Sequence, residues 1–213
     1  DARIAFGGVT DQAGVFRISL RIPEGLREDV YYFQVGTAGD PGLLANFALS
    51  DLVRFRIVLS PEQSALSQMN YHRQQAGLLQ VILDNMLSAG AAAHARYLVL
   101  NRGRPEVEGL NGHNEVPSLP GYTPEGERAG RESNLSRGSH GPRKAVDGLM
   151  AVPYHRLPML DPRLDRIGFG TAADTSGSTP FNAHVLHVSS LGGRLTPDPI
   201  RYPASGQTDV ELE

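Results

Sequence analysis

The 213-residue chain contains neither cysteine nor tryptophan, and only 7% of it is aromatic. Without cysteine there is no disulfide, no thiolate metal site and no cysteine nucleophile, although the compartment stays open because many exported bacterial proteins also lack it. No apolar run approaches the roughly eighteen residues of a membrane-spanning helix, so no transmembrane segment is expected. Charge of one sign is lacking too. Twenty Lys and Arg against 23 Asp and Glu leave a formal net charge of −3, and no broad basic field recommends a nucleic acid or an anionic membrane as partner. The chain opens at Asp1 with neither an initiator Met nor a signal peptide, as expected of a processed or trimmed chain. Glycine (24) and proline (15) are plentiful. With 40% hydrophobic and 20% charged residues, this describes a loop-rich globular protein, long enough for one substantial core plus a smaller module.

Residues 1–59 read as β structure. Phe16, Ile18, Leu20 and Ile22 alternate with Arg17, Ser19 and Arg21, residues 53–59 repeat the alternation, and residues 30–35 form a β-branched and aromatic run between them. Period 2 with turn residues at 11–14 and 40–42 predicts half-buried antiparallel strands. Ser60-Pro61-Glu62 then opens a helix, with Ser60 as N-cap, Pro61 at the first helical position and Glu62 in the first turn. Leu66, Met69 and Arg73 recur at helical spacing until Gly77. A second helix is predicted from about Asp84 to Asn101, with Leu87, Ala91, His94 and Leu98 on one face. Residues 103–141 read as an extended loop wrapping the helices, with at most a short helix near 123–131. A third helix is predicted over 142–151. Segments 167–170 and 183–188 suggest paired strands joined by the loop 173–180, and 196–213 is proline-interrupted with a β-like end at 210–212.

Several histidines carry candidate chemistry. His113 and His155 are potential imidazole ligands for Zn²⁺ or another divalent metal, each needing carboxylates or water to complete a shell. Glu115, Glu132, Ser133 and Asn134 supply acidic, hydroxyl and amide groups near them in sequence. His94, on an Ala/Leu helix face, reads as a packing histidine, and Arg73 as structural. His184 and His187, three apart in a strand, face opposite sides. No Gly-x-Ser-x-Gly elbow, phosphate loop, dinucleotide fingerprint, EF-hand or His-Glu-x-x-His motif occurs.

Met69-Asn70-Tyr71-His72-Arg73, the Ala-rich segment around His94, Gly112-His113, Asn134-Leu135 and Tyr154-His155-Arg156 together resemble, in order and separation, the motifs of the CAP superfamily. These are the cysteine-rich secretory, antigen-5 and pathogenesis-related proteins, and the likeness is to their cysteine-free bacterial branch. The resemblance covers about residues 64–190. It implies an α+β fold, an α/β/α sandwich with a small antiparallel sheet, here preceded by a small all-β module. The expected division is a β-rich module at 1–59, a CAP-like domain at 60–192 and a C-terminal extension at 193–213 leading towards a further β module.

The resemblance also implies a cleft in which His113 and His155 face one another, usually beside two glutamates. Here the chain departs. Ser133 falls where the first glutamate belongs, with Glu132 one residue early, and the second would fall near Ala151-Val152, where there is none. Glu115 and Glu132 are the available substitutes. Without its acids the pair should hold metal weakly, so no cofactor is required and a weakly bound divalent ion is admitted. The implied function is that of a secreted or cell-surface bacterial protein binding a small ligand, lipid, glycan or protein through this cleft. The alternative is a hydrolase, metal-assisted or based on Ser133, using the same residues.

Overall fold

A computed structural model of the chain describes residues 30–33, 36–38, 47–49, 53–56, 58–193 and 200–203. In the N-terminal part, β1 (Val30–Phe33) pairs antiparallel with β4 (Val53–Arg56), and β2 (Gly36–Ala38) with β3 (Phe47–Leu49). The strand expected at 15–22 and the β-like end at 210–212 lie outside the described residues.

Helix α1 (Pro61–Gln75) starts where the sequence places it. Ser60 Oγ accepts from Gln63 N at 3.2 Å while Gln63 Oε1 accepts from Ser60 N at 3.3 Å, a reciprocal capping box. Asn70 on this helix brackets Val81, donating to its carbonyl at 3.0 Å and accepting from its N–H at 2.8 Å. That clamp delivers the chain into β5 (Ile82–Leu83), after which Asp84 caps α2 (Asn85–Leu100) by accepting from Met86 N at 2.8 Å and Leu87 N at 3.2 Å. Two 3₁₀ turns (Pro105–Val107 and Gly109–His113) lead to α3 (Pro124–Arg131), followed by β6 (Ser133–Gly138), α4 (Pro142–Ala151), α5 (Pro153–Met159), β7 (Leu164–Asp174) and β8 (Phe181–Leu191).

The last strands form a four-stranded sheet in the order β5-β7-β8-β6. Helices cover both faces. Ile167, Phe169, Leu186 and Val188 pack against α1, α4 and α5 through Ala65, Met69, Val146, Leu149, Met150 and Met159. Ala183, Val185 and Leu135 face the other way, against Ala91, Ala95 and Leu98 of α2. The pleat alternation of β8 makes both cores from one strand. Gly170 lets α2 lie flat on the sheet, because a Cβ there would fall inside the backbone of Ala91 and Ala92.

Two features differ from the sequence expectation, and a third lies where the sequence reading named no element. The sheet is not wholly antiparallel, since β5 runs parallel to β7. The presumed loop 103–141 contains the edge strand β6, which carries Leu135 as its single aliphatic side chain and so shows no apolar run. Residues 153–159 form a helix despite two prolines. Pro153 occupies the first turn, where an N–H is unpaired anyway, and Pro158 sits one residue before the end.

Arg73 ties these parts together. It is fully buried, donating from Nε to Leu79 O at 2.9 Å, from Nη1 to Met159 O at 2.8 Å and Asp161 O at 3.0 Å, and from Nη2 to Leu164 O at 3.2 Å. Burial pushes its pKa down to about 10, with Asp161 opposing the shift, so it remains charged at neutral pH.

Candidate functional site

His113 ends the second 3₁₀ turn, and its ring is fixed from behind. Nδ1 lies 2.8 Å from the Gly130 carbonyl, which can only accept, so Nδ1 carries the proton and the neutral ring presents its lone pair at Nε2. The approach of α3 that makes this bond depends on Gly130 having no side chain: a Cβ would sit 2.7 Å from His94 Nε2.

His94 is the buried histidine that the helix face predicted. Its Nε2 bonds the Gly112 carbonyl at 2.8 Å and its Nδ1 bonds Glu115 Oε1 at 2.9 Å, while Glu115 Oε2 accepts from Thr123 N at 2.9 Å. Both side chains are fully enclosed. Glu115 therefore fastens α2 to the start of α3 and does not replace a cleft carboxylate.

His155 is carried by α5, whose place is set by Asn134 of β6 donating from Nδ2 to the His155 carbonyl at 2.8 Å. Its Nδ1 is buried without a protein partner. Burial, and secondly the charge of His113, hold its pKa below the ordinary histidine value. Leu110, one 3₁₀ turn before His113, and Tyr154 and Leu157, beside His155 in sequence, are exposed apolar side chains.

The remaining candidates are arranged differently from expectation. Glu132 turns to β8, where its Oε2 bonds His187 Nε2 at 2.9 Å and accepts from Ser189 Oγ at 3.4 Å. Ser133 is the cross-strand partner of His187, and Ser133 Oγ and His187 Nδ1 are both buried without a protein partner. His184, on the opposite face, bonds Thr171 Oγ1 at 3.0 Å and the His140 carbonyl at 2.9 Å. The Glu132–His187 pair was not foreseen. Its only sequence signal was strand parity, which puts His187 on the same face as Ala183 and Val185 but cannot say which acid meets it.

For a metal, the donor set falls short. Two imidazoles are on hand, but Glu115 and Glu132 bond other histidines, and among the described residues no group of three or more His, Cys, Asp or Glu could hold an ion. A four-ligand protein shell of the structural zinc type does not fit here. The cavity of about 470 Å³ between the N-terminal parts of α1 and α2, with Ser60, Leu83, Ala89 and Phe169 in its lining, includes none of the candidate residues.

Helices packed on both faces of a four-stranded sheet define the class of domain. The family model described as "CAP: Cysteine-rich secretory protein family" matches residues 66–188, more than half of the 213, and the chain belongs to that family. Among solved structures it is similar to MpPR-1i, at 14% identity and a TM-score of 0.42, covering 66% of this chain and 90% of that one. It is also similar to an extracellular protein containing an SCP domain from Bacillus anthracis str. Ames, at 13% identity and a TM-score of 0.37, covering 64% of this chain and 46% of that one. The sequence has no significant match among curated proteins.

Proposed function

We propose that this is an exported bacterial CAP-domain protein that binds a ligand or partner at the His113/His155 cleft without performing catalysis. One observation carries the reading: His155 Nδ1 is buried without a protein partner on a short helix whose Tyr154 and Leu157 side chains are exposed. Hydrogen-bonding nitrogens beside apolar surface suit an amphipathic ligand, with a polar head against the imidazoles and an apolar body on the rim. Family membership supports the exported location, and no helix of the described residues is long and apolar enough to cross a membrane. Divalent metal binding, in this reading, is weak and incidental.

A hydrolase is the second reading, favoured by one fact: Ser133 lies opposite a histidine that already bonds a carboxylate, Glu132. Against it, the Ser133 hydroxyl is enclosed, and a nucleophile must reach its substrate.

Two probes separate the readings. An anilinonaphthalene sulfonate dye should brighten on the native protein, and the gain should fall severalfold in Tyr154→Ala/Leu157→Ala and in His155→Ala. A fluorophosphonate should leave Ser133 unlabelled by mass spectrometry. Labelling at Ser133 that disappears in His187→Gln would replace the binding reading with the hydrolase.

A further inference from the structure

Tyr202 lies beyond the stretch matched to the family, which ends at residue 188, yet it returns to the domain. Its ring packs at the margin of the core shared by α1, α4 and α5. On one side it meets His72 of α1 edge-on, with centroids 6.3 Å apart, and His72 is itself bonded to Asp147 of α4 at 2.7 Å. On the other side the Arg156 guanidinium sits over the ring, 5.0 Å from its centroid.

Arg156 is the immediate neighbour of His155 on α5, a seven-residue helix with proline at both ends. So short a helix has little stability of its own and takes its orientation from what it packs against. Asn134 holds it from the sheet by the His155 carbonyl. The Tyr202 ring is the corresponding hold from outside, and the partnerless, buried Arg156 Nη1 leaves that guanidinium relying on few other contacts.

We propose that Tyr202 is a positioning residue for His155: by seating Arg156 on its ring it fixes α5, so the unit that shapes the cleft extends through residue 202. The cleft's importance rests on the binding reading above, but the placement of α5 does not. The C-terminal extension is then part of the binding domain and not merely a link to a further module.

Full-length protein with Tyr202→Phe, Tyr202→Leu and Tyr202→Ala provides the test. Two readouts are needed. One is amide hydrogen exchange at Arg156 and Leu160, whose N–H groups bond Val152 O at 2.9 Å and Arg156 O at 3.0 Å. The other is the His155 ring resonance at one fixed pH. Leu and Ala should speed α5 exchange about five- to tenfold, the factor a cation–π contact of this kind supplies. α2 amides should be unaffected, and the His155 resonance should move. Phe should behave as the native protein. Wild-type behaviour of Leu would show that bulk alone matters. Equal acceleration in α2 would show only global loosening, and an unmoved His155 resonance would show that α5 does not need the ring. Each of these overturns the proposal. Failure of the dye to bind native protein would sink the binding reading and leave this result untouched.

Discussion

At the scale of single residues, the fully buried Arg73 has its hydrogen-bonding capacity matched by fixed partners. Arg73 offers a guanidinium to four carbonyls from separate turns of chain. Replacing it with Met keeps much of the bulk but strands those acceptors. Arg73→Met should lower unfolding free energy by about 1–3 kcal/mol for each buried acceptor that stays unpaired, measured by urea denaturation. Arg73→Lys should recover only a small part, since one ammonium cannot reach all four. The sequence disclosed Arg73 and His94 as structural because an arginine or a histidine on an apolar helix face must find internal partners. It did not disclose Glu115's role. Near His113 in the chain, Glu115 is folded away towards Thr123 and His94, and only three-dimensional distance decides that choice.

At the scale of elements, boundaries with local chemistry were readable and those set by neighbours were not. Ser60, Asp84 and Thr123 each cap a helix with a side-chain oxygen, and α1, α2, α3 and α4 all begin close to where the sequence places them. Asp84 joins two elements. Its carboxylate caps α2 and also accepts from Arg166 Nη1 at 3.3 Å, while its backbone N–H donates to Ile167 O at 2.9 Å. The bond from Leu87 N, then those from Met86 and Arg166, hold its pKa below the usual carboxylate range. Asp84→Ala should therefore lower the melting temperature by a few degrees at neutral pH. The difference should shrink in acid, since a depressed carboxyl stabilises above its unfolded pKa and loses that contribution as pH falls through the folded value. Scanning calorimetry at two pH values would show both effects. β6 and α5 stayed hidden because each relies on tertiary support: among the described residues β6 is an edge strand paired with β8, and α5 is a short helix interrupted by proline.

At the scale of the whole molecule, His140 and His184 set an acid limit. His184 is held below its ordinary pKa first by burial; the charge of His140 adds to the shift and its bond to the His140 carbonyl opposes it. Burial and then Lys144 lower His140 likewise. The unfolded chain, with histidines near pH 6.5, binds these protons at higher pH than the native protein does. Their contribution is accordingly complete above about pH 6.5 and declines as pH falls towards the folded values. The melting temperature should be lower at pH 5 than at pH 7.5, and His184→Gln should flatten that slope whatever it does to stability at pH 7.5. A slope unchanged by the substitution would place the acid sensitivity elsewhere. The layered α/β/α architecture was implied by the family resemblance that the ordered motifs carry, and the changes of period agree with it, whereas the packing of Tyr202 was not legible. Tyr202 belongs to the packed domain, and no periodic pattern in a proline-rich segment announces a single aromatic anchor.

The glycine at 170 ties the position of His113 to the spacing between α2 and the sheet. Any side chain at that position would have to push the backbone of α2 outward. That helix carries His94, His94 grips the Gly112 carbonyl, and His113 is the next residue. A methyl group added 57 positions away from His113 in sequence would thus be transmitted as a displacement of the imidazole itself. The placement of that histidine is thus set by residues well separated from it in the chain, through the spacing of helix and sheet.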